Sequence, residues 1–351
     1  EVVVVGYGTQ KKSLVTGAIS QVKAEDLKTT SISRIDQALQ GRTAGVTVLP
    51  QSGSPGAPVS IRIRGAGSNK SSDPLYIVDG VRAGGIEYLD PSEIESTEIL
   101  KDAASAAIYG AEAANGVVMI TTKSGKNKAK NDIDYSFQLG QQSIGNLMPM
   151  MNASQYQQYL SASGTAGTIP TTEEAAAVGN GTNWRDAVFQ NAPQQRHALT
   201  FTGGGEKSSY MVGMTYFNQK GVAGGDKADF KRYTVRLNTD NKVKDWLNIG
   251  ERLSYSNFTT TGFAENDEFG SVMSSTIVLD PITPITYAQG GVLPAHVQKA
   301  ISEGQPLVKD ENGNYYGISN YIKGEYGNPV ARMQLAQQST TQNKVVGNVF
   351  A

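Results

Sequence analysis

The sequence predicts two units in tandem: an α+β domain over residues 11–125, then long antiparallel strands over 132–351, patterned as a transmembrane β-barrel left incomplete in this chain. Three observations carry that prediction. Composition changes near residue 125, from short Val-, Ile-, Ala- and Gly-rich runs between turn signals to long stretches of alternating apolar and polar residues. Those stretches run about ten residues, rather than the five or six of an ordinary soluble strand. Their connections also differ in length: Asp240 to Asp245 reads as a short polar turn, whereas 140–195 and 257–342 read as long loops.

The bulk numbers narrow the function. Charged residues are 18% of the chain, against a typical value of about 25%. With 31 Lys and Arg against 32 Asp and Glu, no positive field favours nucleic acid. There is no Cys, and His197 and His296 lie far apart, which leaves little for a metal site or a catalytic triad. No apolar run approaches the roughly 18 residues of a spanning helix. The chain begins at Glu1 with neither Met nor signal peptide, so upstream sequence is expected outside it. Neither enzymatic activity, a metal nor a cofactor is expected.

In the first unit Val59, Ile61 and Ile63 share one face of a strand, and Arg62 and Arg64 lie on the other. Leu75–Val78 is a short strand running into an Asp79-Gly80 turn. Asp90-Pro91-Ser92-Glu93 reads as a capped helix start, followed by a strand from Ile94 to Leu100. Asp102 is expected to cap an Ala-rich helix from Ala103 to Tyr109, closed by Gly110. Residues 116–121 form a last strand, and the basic, polar stretch 126–131 is a linker.

In the second unit Ile133, Tyr135, Phe137 and Leu139 alternate with polar residues; so do Leu199 and Phe201, and Tyr210, Val212, Met214 and Tyr216. Tyr233, Val235 and Leu237 oppose Arg232, Thr234, Arg236 and Asn238, while Leu247, Ile249, Leu253 and Tyr255 oppose Asn248, Gly250, Arg252 and Ser254. A sixth stretch runs from Lys344 to Phe350. One face is apolar with aromatics near its ends; the other is small, polar or cationic. That fits lipid outside and a wet lumen inside. The competing arrangement is a soluble β-sandwich, a non-transporting surface glycan binder, in which the apolar faces pack on each other. Glu251 interrupts the apolar face and is expected at its interfacial rim, where an acid costs little.

Five successive segments carry a resemblance: residues 1–10, 61–65, 76–80, 98–110 and 114–123. In that order they resemble the SusC/RagA-like TonB-dependent outer-membrane transporters of Bacteroidetes, and 280–284 and 327–330 resemble that family's barrel loops. The resemblance implies an N-terminal plug inside a barrel of about 22 strands, of which this chain would hold the opening part, with an open edge. It implies the outer membrane as location, with plug and N-terminus toward the periplasm. It also implies a TonB-type energy-transducing complex as partner, a SusD-like surface lipoprotein as lid, and an oligosaccharide or peptide as cargo.

Candidate residues follow. Glu1, Val2, Val3, Val4, Val5, Gly6 and Tyr7 resemble a TonB box over 1–10, and a β-branched run of this kind can add as a strand to a partner's sheet edge. The family resemblance makes Arg62 and Arg64 candidates for pairing with barrel acids as a latch. Gly65, Asp79, Gly80, Lys101, Asp102, Tyr109, Gly110, Asn115 and Gly116 are expected to be structural turns, caps and local charges. Glu112 stands where an Arg is expected in the family. Tyr287, Tyr315, Tyr316, Tyr321 and Tyr326 are the loop aromatics that could meet a sugar or the lipoprotein.

Overall fold

The computed structural model describes residues 2–5, 8–11, 19–23, 34–65, 72–102, 106–125, 131–145, 148–164, 167–264, 270–324, 326–335 and 338–351. At the N-terminus, β1 (Val2–Val5) pairs antiparallel with β2 (Gly8–Lys11) as a separate two-stranded hairpin.

The first domain is a five-stranded sheet in the order β3-β8-β9-β6-β7, built from β3 (Ile19–Lys23), β6 (Leu75–Val78), β7 (Val81–Ala83), β8 (Ile94–Leu100) and β9 (Val117–Thr122). Only the β6–β9 contact is parallel. A second hairpin joins β4 (Val46–Pro50) to β5 (Val59–Ile63). The unbroken apolar run of β9 reflects burial on both faces. Its alternate residues feed two cores: Val118 and Ile120 join Ile35, Leu39, Ile61 and Ile99, while Val117 and Met119 join Ile77, Leu100 and Tyr109.

Two local readings need correction. The turn at Asp90 is only a 3-10 turn, Pro91–Glu93, although Asp90 does cap it through Ser92 N. The segment after Asp102 does not end at Gly110. It continues as 3-10 turns through Ala107–Asn115, kinked where Gly110 takes φ 73°, and residues 103–105 lie outside the described set. Glycine tolerates that left-handed backbone, so the residue expected to stop the helix bends it instead.

The second domain is one antiparallel sheet of six strands in the order β10-β11-β12-β13-β14-β17. They are β10 (Asp132–Gln142), β11 (Ala192–Gly204), β12 (Ser208–Gly221), β13 (Gly225–Lys244), β14 (Leu247–Gly262) and β17 (Gln338–Phe350). The strands are longer than expected. Residues 240–244 extend β13 rather than turning, because Asp240 binds Arg252 on the neighbouring strand at 2.9 Å. The turn itself is Asp245-Trp246. The connections 205–207 and 245–246 are short at one end; at the other, 143–191 and 263–337 are long and 222–224 is short.

The expected apolar face points away from the first domain. Tyr135, Met214, Tyr233, Val235, Leu253, Tyr255 and Val345 are all exposed, while Phe217, Arg232, Thr234, Arg236, Asn238 and Ser256 are buried on the opposite face. A sandwich would bury the first set, so the sandwich is excluded. Cross-strand rows align Phe137, His197, Tyr216 and Tyr233, but the same row ends in polar Asn257 and Asn343. The upper edge of the apolar band thus drops from Leu139 on β10 to Tyr255 on β14, as strands tilted in a barrel wall require. Glu251 is exposed on this outward face, in the row of Tyr210 near the short-turn end.

The long connections are folded rather than irregular. Helices span Ala153–Ser163, Thr172–Ala177 and Trp184–Val188 in one, and Val272–Val278, Ala295–Ser302 and Pro329–Leu335 in the other. Two-stranded β15 (Thr286–Tyr287) and β16 (Tyr315–Tyr316) complete the second. Asp280 joins the two connections. Its buried carboxylate accepts from Ile282 N, Thr283 N, Thr283 Oγ1 and Ser319 Oγ, and its carbonyl accepts from Trp184 Nε1 at 2.8 Å.

Candidate functional site

The feature that stands out chemically is the interface between the first domain and the buried face of the wall. Period-2 alternation puts Arg232 and Arg236 on the same face of β13, and the β11–β12–β13 registers bring Arg196 into the row of Phe217 and Arg232. These three guanidinium groups, with Arg252 on β14 beside them, face inward in a chain otherwise poor in charge.

Carboxylates of the first domain meet them. Asp90 accepts from Arg232 Nη2 at 2.6 Å and lies 3.4 Å from Arg196 Nε; Asp90 and Arg232 are 0% exposed. Its other oxygen takes Ser92 N and Ser92 Oγ at 2.9 and 2.7 Å. Glu93 accepts from Arg236 Nε at 3.0 Å, and Asp79 lies 3.9 Å from Arg236 Nη1. Phe217 packs beneath two of the cations, with the Arg196 and Arg232 guanidinium carbons 5.2 and 5.9 Å from its ring centre.

The two central acids differ. Burial pushes the Asp90 carboxyl up, but Arg196, Arg232 and the Ser92 bonds outweigh it and hold the group at about 2. For Glu93 burial wins: Arg236 pulls down, the nearby Asp90 charge pushes up, and the group ends above the usual carboxylate range. The interface thus joins one firm anion to one that holds a proton more readily.

Neutral contacts extend the seam. Arg232 Nη1 donates to Glu87 O, Ser256 Oγ to Tyr88 O, and Asn238 Nδ2 to Lys123 O at 2.6 Å. Lys344 on β17 binds Glu87 at 2.6 Å. At the tip of the β4–β5 hairpin, Gly56 has φ 68° and lies so close to Phe230 that a Cβ would sit 2.3 Å from its ring. Only glycine allows that approach.

The residues singled out from sequence lie elsewhere. Arg62 is exposed on β5 opposite Thr47, and Arg64 is exposed at φ 59° beside Gly65; the six wall strands bring no acid to either among the described residues. The ion pairs seen among the described residues join cations of the six-stranded sheet to acids of the first domain, because the inward positions of β11 and β13 are the basic ones. Val2–Val5 form β1, while Glu1, Gly6 and Tyr7 lie outside the described residues. Asp79 and Gly80 form a turn with φ 48° and 83°, and the Asp79 carboxylate also takes Thr122 N and Oγ1. Lys101 Nζ donates to Ala44 O, Ala106 N to Asp102 O, and Asn115 Nδ2 to Asp73 O at 3.5 Å. Tyr109 is buried with its hydroxyl on Met119 Sδ, and Gly116 packs on Ile63. Glu112 pairs with Arg82 at the surface.

The loop tyrosines are half-buried or buried. Tyr316 is buried, Tyr287 and Tyr315 pair across β15–β16 with Lys309 over the Tyr315 ring, and Tyr321 packs against Ala153 and Ile282. Tyr326 lines a cleft. The sequence does not mark Asp90, Glu93 and Arg196 as an interface. Their signal in the sequence is weak: two acids in a capped turn, and an inward Arg on a wall strand.

Residues 11–117 match the family model described as the TonB-dependent receptor plug domain. Over its whole length the chain is 34% identical to a TonB-dependent receptor of Formosa agariphila, covering 33% of that protein. It is 28% identical to the TonB-dependent receptor SusC of Bacteroides thetaiotaomicron, over 99% of the chain and 34% of the relative. Among solved structures it is similar to the RagAB peptide importer in its open-open state, with a TM-score of 0.70 and 31% identity over 83% of the chain and 37% of the importer chain. The chain spans about a third of the length of the curated relatives it matches.

Proposed function

The chain belongs to the TonB-dependent receptors of the SusC/RagA type, and from that premise we propose that it supplies the plug and part of the wall of an energy-coupled importer. The outer membrane holds the wall, with the short turns and the N-terminus toward the periplasm. The plug blocks the lumen. A TonB-type complex pairs with the segment around Val2–Val5 by strand addition and pulls. A SusD-like lipoprotein covers the long-connection end, and the cargo is an oligosaccharide, or else a peptide.

The observation that carries this reading is the inversion of the wall: apolar residues outward, and on the inward face three arginines docked on plug carboxylates. Desolvated pairs of this kind seat a plug firmly, yet removal of one partner costs about 3–5 kcal/mol, so release is all-or-none rather than gradual. No covalent chemistry is needed at the interface. The test is deletion of residues 1–8 from the full-length receptor. Uptake should fall to background while the protein still inserts; undiminished uptake would remove the coupling role.

A further inference from the structure

A small cavity lies in the seam between plug and wall, where Asp79 and Tyr88 of the first domain meet β13, β14 and β17. Its volume is about 20 Å³, above the roughly 10–15 Å³ that one water requires and far below that of a small-molecule pocket. Four buried polar atoms of its lining residues make no hydrogen bond among the described residues: Tyr88 Oη, Arg236 Nη2, Ser254 Oγ and Asn348 Oδ1. Tyr88 is 1% exposed, and Arg236 and Ser254 are each 2% exposed. A buried polar atom left unpaired costs more than an ordinary hydrogen bond gains, so these four call for a partner. The other groups of the same side chains are engaged. Arg236 Nε donates to Glu93 at 3.0 Å, and Asn348 Nδ2 faces Asp79 O at 3.5 Å, which sets Oδ1 as the free end of that amide.

The four atoms form a complementary set. Arg236 Nη2 can only donate and Asn348 Oδ1 can only accept, while the two hydroxyls do either. One water can accept from Arg236 and one hydroxyl, and donate to Asn348 and the other hydroxyl. Charge disfavours an ion. Arg236 and Arg252 line the cavity, but so does Asp79, while Glu93 binds Arg236 and Asp240 binds Arg252 at 2.9 Å. A cation would meet guanidinium there, and an anion would meet carboxylate and carbonyl oxygen.

We propose that this cavity holds one water shared by plug and wall, bound by Tyr88, Arg236, Ser254 and Asn348. Three of the four partners belong to the wall and one to the plug. Withdrawal of Tyr88 therefore leaves the water on the wall with Arg236 still hydrated, so the seam parts here without baring a cation.

The experiment uses crystals of the full-length receptor at a resolution that shows ordered water, grown in chloride and again in bromide. One peak should lie within about 3.2 Å of all four atoms in both salts, with no anomalous signal from bromide. Tyr88→Phe should keep the peak, held by the wall, and should speed hydrogen exchange at residues 79–88 about fivefold, as loss of one hydrogen bond does. Ser254→Val removes a partner and fills the space with methyl groups, so the peak should vanish. In that background Tyr88→Phe should speed exchange no further, because the hydroxyl has no water left to bind. The site is overturned if bromide scatters anomalously there, if a side chain from elsewhere in the receptor fills the cavity, or if no peak is present. It is equally overturned if Tyr88→Phe acts alike in both backgrounds. The importer reading is decided separately, by the deletion of residues 1–8.

Discussion

The two faces of β13 present the sharpest contrast in the molecule. Tyr233 and Val235 are half or nearly half exposed, while Arg232, Thr234 and Arg236, one residue away in each case, are at most 2% exposed. An arginine is the buried residue and a valine the exposed one. Hydrophobicity alone orders these residues backwards; what decides is the medium each face meets, hydrocarbon on one side and a carboxylate-bearing domain on the other. The same sheet therefore obeys two solvents, and each side can be broken separately.

The largest effect is expected at Arg232. Arg232→Ala leaves Asp90 buried with its closest cation gone, a loss of about 3–5 kcal/mol. Hydrogen exchange should rise across residues 86–100 of the plug, with the strand amides of β12–β14 unchanged; unaltered protection would mean the pair does not seat the plug. Next comes the outward face. Val235→Arg should cost about 2–4 kcal/mol of wall stability in a bilayer if the position is at mid-membrane. Folding into lipid vesicles reads this, and plug protection should stay as it was. A smaller effect is expected where the backbone itself touches the wall. Gly56→Ala meets both the Phe230 ring and a left-handed φ, and should lower stability by about 1–3 kcal/mol, seen as a lower Tm.

The smallest effect separates the two acids. Asp90 titrates at about 2 against an ordinary 3.8, so its contribution is full above the ordinary value and is lost as pH falls through about 2. Glu93 is raised above 4.5, so its contribution is full below that value and is lost as pH rises through its own pKa. Plug docking should therefore tighten in mild acid and fail in strong acid. Glu93→Gln should remove the mild-acid gain, measured as the pH dependence of Tm. Persistence of that gain in the variant would place the titration elsewhere.

The outward face was legible because alternation is a local property: Tyr135, Tyr210, Val235 and Leu253 declare their side within their own strands. The family resemblance likewise needed only short segments. The latch was not legible. Asp90 meets Arg232 across 142 positions of sequence, and nothing local distinguishes a capping aspartate from a capping aspartate that also binds a distant cation. Arg62 and Arg64 lie in a recognisable motif, whereas Arg196, Arg232 and Arg236 lie in no motif that marks them. The folded connections were partly readable, since Asn152 with Gln155 and Thr171 with Glu174 form capping boxes that the sequence displays.

The β1–β2 hairpin has a mechanical consequence. Its two ends, Val2 and Lys11, lie side by side at the open end, so tension between them parts the strands like a zip, one rung after another, and not by sliding the whole ladder at once. Each rung yields at low force, and the straightened segment of ten residues pays out up to roughly 35 Å of slack. A tug shorter than that leash would spend itself on the hairpin and leave the stopper where it is.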